Sequence, residues 1–170
     1  SQDGSSYGIY GQRFDDSGTA DGDEFRVNTY TSGSQNDSSV TALADGGFVV
    51  TWQSYHSEFN NTYGISGQRY DADGNALGSE FQVNTYIGSN QYTPSVTALD
   101  DGGFVVAWRD DSGHDGGSSY DVRVQRYGAD GEQLESGEQL VNTYTSSSQY
   151  EPSVSGLSDG GFVVTWRDDS

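Results

Sequence analysis

Short apolar runs separated by Gly-, Asp- and Ser-rich stretches recur along this chain. The strongest is Asp45-Gly-Gly-Phe-Val-Val-Thr-Trp52, which returns as Asp101-Gly-Gly-Phe-Val-Val-Ala-Trp108 and as Asp159-Gly-Gly-Phe-Val-Val-Thr-Trp166. Each copy pairs a tight Asp-Gly-Gly turn with the most hydrophobic run in its neighbourhood. In a strand, Phe48, Val50 and Trp52 point one way and Val49 and Thr51 the other. Both faces are largely apolar, so this strand is expected to be covered on both sides. No segment shows an apolar period of about 3.6 residues, which predicts essentially no helix.

Aligning on the tryptophan brings the rest of the chain into register. Tyr7-Gly-Ile-Tyr-Gly-Gln-Arg-Phe14 matches Tyr63-Gly-Ile-Ser-Gly-Gln-Arg-Tyr70 and Tyr120-Asp-Val-Arg-Val-Gln-Arg-Tyr127. Glu24-Phe-Arg-Val-Asn-Thr-Tyr30 matches Glu80-Phe-Gln-Val-Asn-Thr-Tyr86 and Glu138-Gln-Leu-Val-Asn-Thr-Tyr144. Ser39-Val-Thr-Ala-Leu43 matches Ser95-Val-Thr-Ala-Leu99 and Ser153-Val-Ser-Gly-Leu157. The period is about 57 residues, and three periods fill the chain. Each repeat predicts four short strands, shown by the second: Ser95–Leu99, a hairpin turn, Phe104–Trp108, a polar loop, Tyr120–Tyr127, and a fourth strand ending in Val-Asn-Thr-Tyr. Gly8, Gly11, Gly64 and Gly67 in the third strands suggest close approach of a neighbour.

The expectation is therefore an all-β, single repeat domain over residues 1–170. Its repeats run over about 39–83 and 95–141, with a third split between 153–170 and 1–27. The chain opens on a third strand and closes on a second, as an excised segment would. From Trp52 to Tyr63 is 11 residues and from Trp108 to Tyr120 is 12; joining Trp166 across the two ends to Tyr7 also gives 11. The last first-and-second strand pair is thus matched to the initial third-and-fourth pair. Four strands per repeat fit propeller-like blades, but three blades are below the usual minimum of about four. One solution is a six-bladed ring closed by a second chain across a two-fold axis. The alternatives are a closed three-fold β-trefoil or β-prism, and a piece of a longer array.

Taken together, Pro94-Ser-Val-Thr-Ala-Leu-Asp-Asp-Gly-Gly-Phe-Val-Val-Ala-Trp108, Tyr63-Gly-Ile-Ser-Gly-Gln-Arg-Tyr70 and Gly78-Ser-Glu-Phe-Gln-Val-Asn-Thr85 resemble the tandem repeats of very large secreted bacterial proteins, the adhesins and repeats-in-toxin proteins. The resemblance spans the chain. It implies an extracellular or cell-surface, calcium-rich setting and a β-propeller-like blade, but no activity. The glycine-rich calcium nonapeptide of that class is absent; Gly113-His-Asp-Gly-Gly117 departs from it.

Charge narrows the partners. There are 26 Asp and Glu against 7 Arg, with no Lys, for a formal net charge of −19. Such a surface repels nucleic acid and anionic membrane, and no stretch predicts a transmembrane helix or a signal peptide. The lack of Cys excludes a disulfide framework and thiolate-bound metal. The loops after the tryptophans, Arg109-Asp-Asp-Ser-Gly-His-Asp115 and Arg167-Asp-Asp-Ser170 with Ser1-Gln-Asp3, are acidic. They make Asp110, Asp111, Asp115, Asp168, Asp169 and Asp3 candidate calcium ligands, since calcium takes six to eight oxygens. The competing reading is solvated loops with each Arg beside its own carboxylates. Asp-Gly turns at Asp45, Asp101 and Asp159 need no ion to explain them.

Arg13, Arg69 and Arg126 recur at one position, which suggests contacts between sheets or to acidic neighbours. Trp52, Trp108 and Trp166 are expected in the core. Tyr30, Tyr86 and Tyr144, each followed five residues on by Gln35, Gln91 and Gln149, offer an aromatic and an amide. That pair could stack on a sugar ring and bond its hydroxyls, or simply pack between sheets. His56 and His114 sit at non-equivalent loop positions, and no single carboxylate pair stands out for glycoside hydrolysis, so nothing predicts an enzyme. The sequence supports a non-enzymatic scaffold or adhesion module that self-associates by strand completion into a homodimer. A carbohydrate-binding module with repeated sites is the alternative.

Overall fold

The computed structural model describes residues 7–56, 61–113, 120–135 and 137–169. Among these residues every regular element is a β-strand, as the periodicity predicts, and no sheet closes into a barrel. Strands β1 (Tyr10–Phe14) and β2 (Ala20–Arg26) form a two-stranded sheet, A. Strands β3 (Gln35–Ala42), β4 (Phe48–His56), β5 (Thr62–Tyr70) and β6 (Ala76–Gln82) form a four-stranded antiparallel sheet, B, in chain order. Sheet C repeats it with β7 (Gln91–Ala98), β8 (Phe104–Asp110), β9 (Asp121–Tyr127) and a two-residue β10 (Gln139–Leu140). Sheet D holds β11 (Gln149–Gly156) and β12 (Phe162–Asp168).

The turns are built as their residues demand. Asp45 Oδ1 accepts from the Gly47 amide at 2.9 Å, and Gly46 sits at φ 86°. Asp101 and Gly102 repeat this, as do Asp159 and Gly160. A Cβ on Gly11 would lie 2.7 Å from the Phe25 ring, and one on Gly67 2.6 Å from Phe81, so both glycines make room for an aromatic from the fourth strand.

The sheets stack in the order A, B, C, D. Ile9, Val27, Val50, Trp52 and Tyr70 fill the A–B layer. Leu43, Val49, Ile65, Val83, Val96, Phe104, Val106, Trp108 and Tyr127 fill B–C. Leu99, Val105, Ala107, Val124 and Val154 fill C–D. First strands of successive sheets lie side by side, stitched by hydroxyls. The amides of Val96 and Ala98 donate to Ser39 Oγ (3.2 Å) and Thr41 Oγ1 (3.3 Å), and those of Val154 and Gly156 to Ser95 Oγ (3.1 Å) and Thr97 Oγ1 (3.2 Å). The Ser-Val-Thr pattern thus serves the neighbouring sheet with its polar positions, and Val96 and the corresponding Val154 enter the core.

Two expectations change. The fourth strands end at Arg26, Gln82 and Leu140, before Val-Asn-Thr-Tyr. There Val27, Val83 and Val141 make a last backbone bond at 2.8–2.9 Å to Ile9, Ile65 and Val122, and the next asparagine side chain takes over the ladder. And Trp166 is not core: it is 36% exposed, whereas Trp52 and Trp108 are fully buried, because among the described residues sheet D has two strands and sheets B and C have four.

Candidate functional site

The seam after each fourth strand is the most elaborated part of the repeat. Asn28, Asn84 and Asn142 are buried, and their Oδ1 atoms accept from the amides of Ile9, Ile65 and Val122, each at 2.7 Å. Their Nδ2 groups donate to the carbonyls of Tyr30, Tyr86 and Tyr144. The threefold recurrence of Asn was the available signal for this role. Glutamate from the next sheet locks the seam. Glu80 accepts from the Thr29 amide (2.9 Å), Thr29 Oγ1 (2.8 Å) and the Tyr30 amide, and Glu138 accepts from the Thr85 amide at 2.9 Å.

Gln35, Gln91 and Gln149 lie inside the seams, at most 1% exposed. Gln35 and Gln91 accept from Asn28 and Asn84, Gln91 also donates to Asp110, and Gln149 donates to the carbonyls of Tyr144 and Ser147. Their amides serve the protein. The tyrosines differ among themselves: Tyr86 and Tyr144 are 37% and 50% exposed, while Tyr30 is half-buried and stacks on His56 with centroids 3.5 Å apart.

Tyr30 and His56 line a cavity of about 440 Å³ with Thr29, Ser66, Glu80, Phe81 and Gln82. The corresponding place between sheets B and C is filled. There Arg123, 3% exposed, bonds Asp110 at 2.6 Å and lies 3.7 Å from Glu138. Repeat alignment puts Ser54 and Ser66 where Asp110 and Arg123 stand. The open cavity follows from that loss of side-chain volume.

The acidic candidates are scattered. Asp110 is buried and bound to Arg123 and Gln91; Asp111 is half-buried; Asp168 and Asp169 are exposed; Asp3 and Asp115 lie outside the described residues. Among the described residues no three acidic or histidine side chains come together as a metal site. Arg109 leaves its neighbouring carboxylates to stack 4.4 Å from the Tyr92 ring and 4.5 Å from Tyr120. Arg69 reaches across to sheet C, donating to the carbonyls of Asp130 (2.6 Å) and Ala129 (2.8 Å), and Arg13 does the same to Asp73 on sheet B. Among the described residues Arg126 makes only long pairs, 3.5 Å each, to Asp101 and Glu135.

Both ends of the stack expose apolar side chains whose counterparts in the middle are buried. Phe14 is 63% exposed where Tyr70 and Tyr127 are buried, and Val40 is 65% exposed where Val96 and Val154 are buried. Beside Val40 runs an apolar groove of about 260 Å³, between sheets A and B, reaching Ile9, Phe25, Phe48 and Val50. At the other end Leu157, Val163 and Trp166 are exposed. Among the described residues, β1 has one paired edge, against β2, and β12 one, against β11. No protein-family model matches the chain, and no characterised protein matches it closely.

Proposed function

We propose that this chain is a non-enzymatic scaffold module, half of a six-bladed, propeller-like ring that two copies close by completing each other's half-sheets. One observation carries the reading: the two ends of the stack are complementary halves of the sheet seen twice, whole, between them. Among the described residues, sheet A holds the counterparts of the third and fourth strands, and sheet D those of the first and second.

The whole sheets dictate the register of the joint. Phe48 opposes Tyr70 and Trp52 opposes Ser66; Phe104 opposes Tyr127. By repeat alignment, Phe162 opposes the second copy's Phe14, and Trp166 its Tyr10. The stacked pairs Phe48–Tyr70 (4.7 Å) and Phe104–Tyr127 (4.6 Å) are the pattern for Phe162 on Phe14. The first strand β11 then seats against the groove beside Val40, its Ser153 and Ser155 accepting from the amides of Val40 and Ala42, as Ser39 and Thr41 do for β7. Glu24 closes on the second copy's Thr143, as Glu80 does on Thr29. Arg126 reaches the second copy's turn at Ser17, as Arg69 reaches Asp130.

The resemblance to secreted bacterial repeats supports a role as spacer or adhesion module on a cell surface, in a calcium-containing medium. A carbohydrate-binding reading keeps the tyrosines but loses the glutamines, whose amides are occupied inside the seams. Light scattering behind a sizing column tests the proposal. A mass of twice the 18.3 kDa chain is expected; a mass of one chain at all concentrations overturns it.

A further inference from the structure

The geometry points to the cavity at Tyr30, His56 and Glu80 as a binding site for a guanidinium group, that of an arginine residue presented by a peptide or of free arginine. The argument comes from two versions of one site within this chain and is independent of self-association. Between sheets B and C the seam carboxylate Glu138 is joined by Arg123, whose guanidinium lies buried between Glu138 and Asp110. Between sheets A and B the equivalent carboxylate Glu80 keeps its place, held by the Thr29 and Tyr30 amides, but Ser66 replaces the arginine. What remains is a cavity of about 440 Å³, far larger than the roughly 30 Å³ share of one water.

Its walls suit that occupant. Among the described residues no cation pairs with Glu80, so its charge faces the cavity with only hydrogen-bond donors as partners. The Tyr30–His56 stack supplies an aromatic face, and guanidinium on aromatic rings is a packing this protein already uses, at Arg109 over Tyr92 and Tyr120. A neutral sugar would leave Glu80 unneutralised, and an acidic ligand would be repelled by it. The net charge of −19 further concentrates cationic partners at the surface.

The test uses N-acetyl-arginine methylamide, free arginine, the neutral citrulline analogue and maltotriose, titrated into the protein while the amide NMR signals of Thr29 and Tyr30 are followed. Both guanidinium probes are expected to shift those two signals saturably, with citrulline at least tenfold weaker and maltotriose without effect. Tighter binding of the methylamide than of free arginine assigns the site to peptide-borne arginine; the reverse assigns it to the free amino acid. Glu80→Gln should weaken binding at least tenfold. The double variant Ser54→Asp, Ser66→Arg should fill the cavity from within and abolish binding while keeping the folded spectrum. Equal binding of citrulline, saturable binding of maltotriose at these amides, or binding that survives in folded Glu80→Gln overturns the assignment, and the last of these holds even if the double variant fails to fold.

Discussion

Removing the Phe14 ring tests strand completion where the protomer depends on it least. In one chain the ring is 63% exposed, whereas its counterparts Tyr70 and Tyr127 are 4% and 1% exposed under a complete sheet. An aromatic side chain presents about 200 Å². Covering the exposed part removes about 130 Å² from water, worth roughly 3 kcal/mol at about 25 cal/mol per Å². Alanine retains part of that contact, so Phe14→Ala is expected to weaken each joint by about 2 kcal/mol. A two-fold dimer has two joints, giving about 4 kcal/mol and a dissociation constant raised about a thousandfold. Sedimentation equilibrium over a wide dilution series reads that change directly. Leu134→Ala is the control, since Leu134 is 51% exposed but lies beside sheet C, its amide bonded to the Arg126 carbonyl and away from both half-sheets, and it should leave association unaltered. The reasoning fails if Phe14→Ala associates like the parent protein, or if the isolated protomer melts lower by the same free energy that the dimer loses.

Two further outcomes follow from buried polar groups. Tyr127, with its hydroxyl 3.5 Å from the Val83 carbonyl, is pushed up from 10.0 to about 12 by burial, and Tyr70 is raised to about 12 by burial and by Glu80. The unfolded chain loses these protons first, so their contribution is fully present below pH 10 and is lost as pH rises towards 12. For Tyr127 that is about 3 kcal/mol. Urea midpoints measured at pH 9 and near pH 12 should fall steeply in the parent protein and less in Tyr127→Phe; parallel falls would refute the assignment. Asp110→Asn should destabilise by about 1–3 kcal/mol, because buried Arg123 loses its 2.6 Å carboxylate partner and keeps Glu138 at 3.7 Å. Since Asp110 is already occupied by Arg123, any rise in midpoint that calcium gives the parent protein should persist in this variant. Loss of that rise would place the ion on Asp110.

Within a repeat, sequence was enough for the strand order and the turns but placed the ends of the fourth strands too late. Hairpin turns close over a few residues, as when Asp45 bonds the Gly47 amide, and strand alternation needs only neighbours two positions apart. The four-strand repeat, its turns and the glycines beside Phe25 and Phe81 were therefore legible; the reach of Arg13 and Arg69 between sheets was suggested by recurrence at one repeat position alone. What lies between repeats was decided by tertiary structure, because burial depends on a sheet about 57 residues away. Three identical-looking tryptophans divide into two that are buried and one that is exposed, according to whether a third strand follows them. Sequence left Gln35, Gln91 and Gln149 open between facing a sugar and packing between sheets; the fold buries all three, Gln35 and Gln91 against seam asparagines and Gln149 against the Tyr144 and Ser147 carbonyls. Ser66 and Arg123 look like unremarkable variation at one repeat position. Only the stacked sheets show that one leaves a cavity beside Glu80 and the other fills its counterpart beside Glu138.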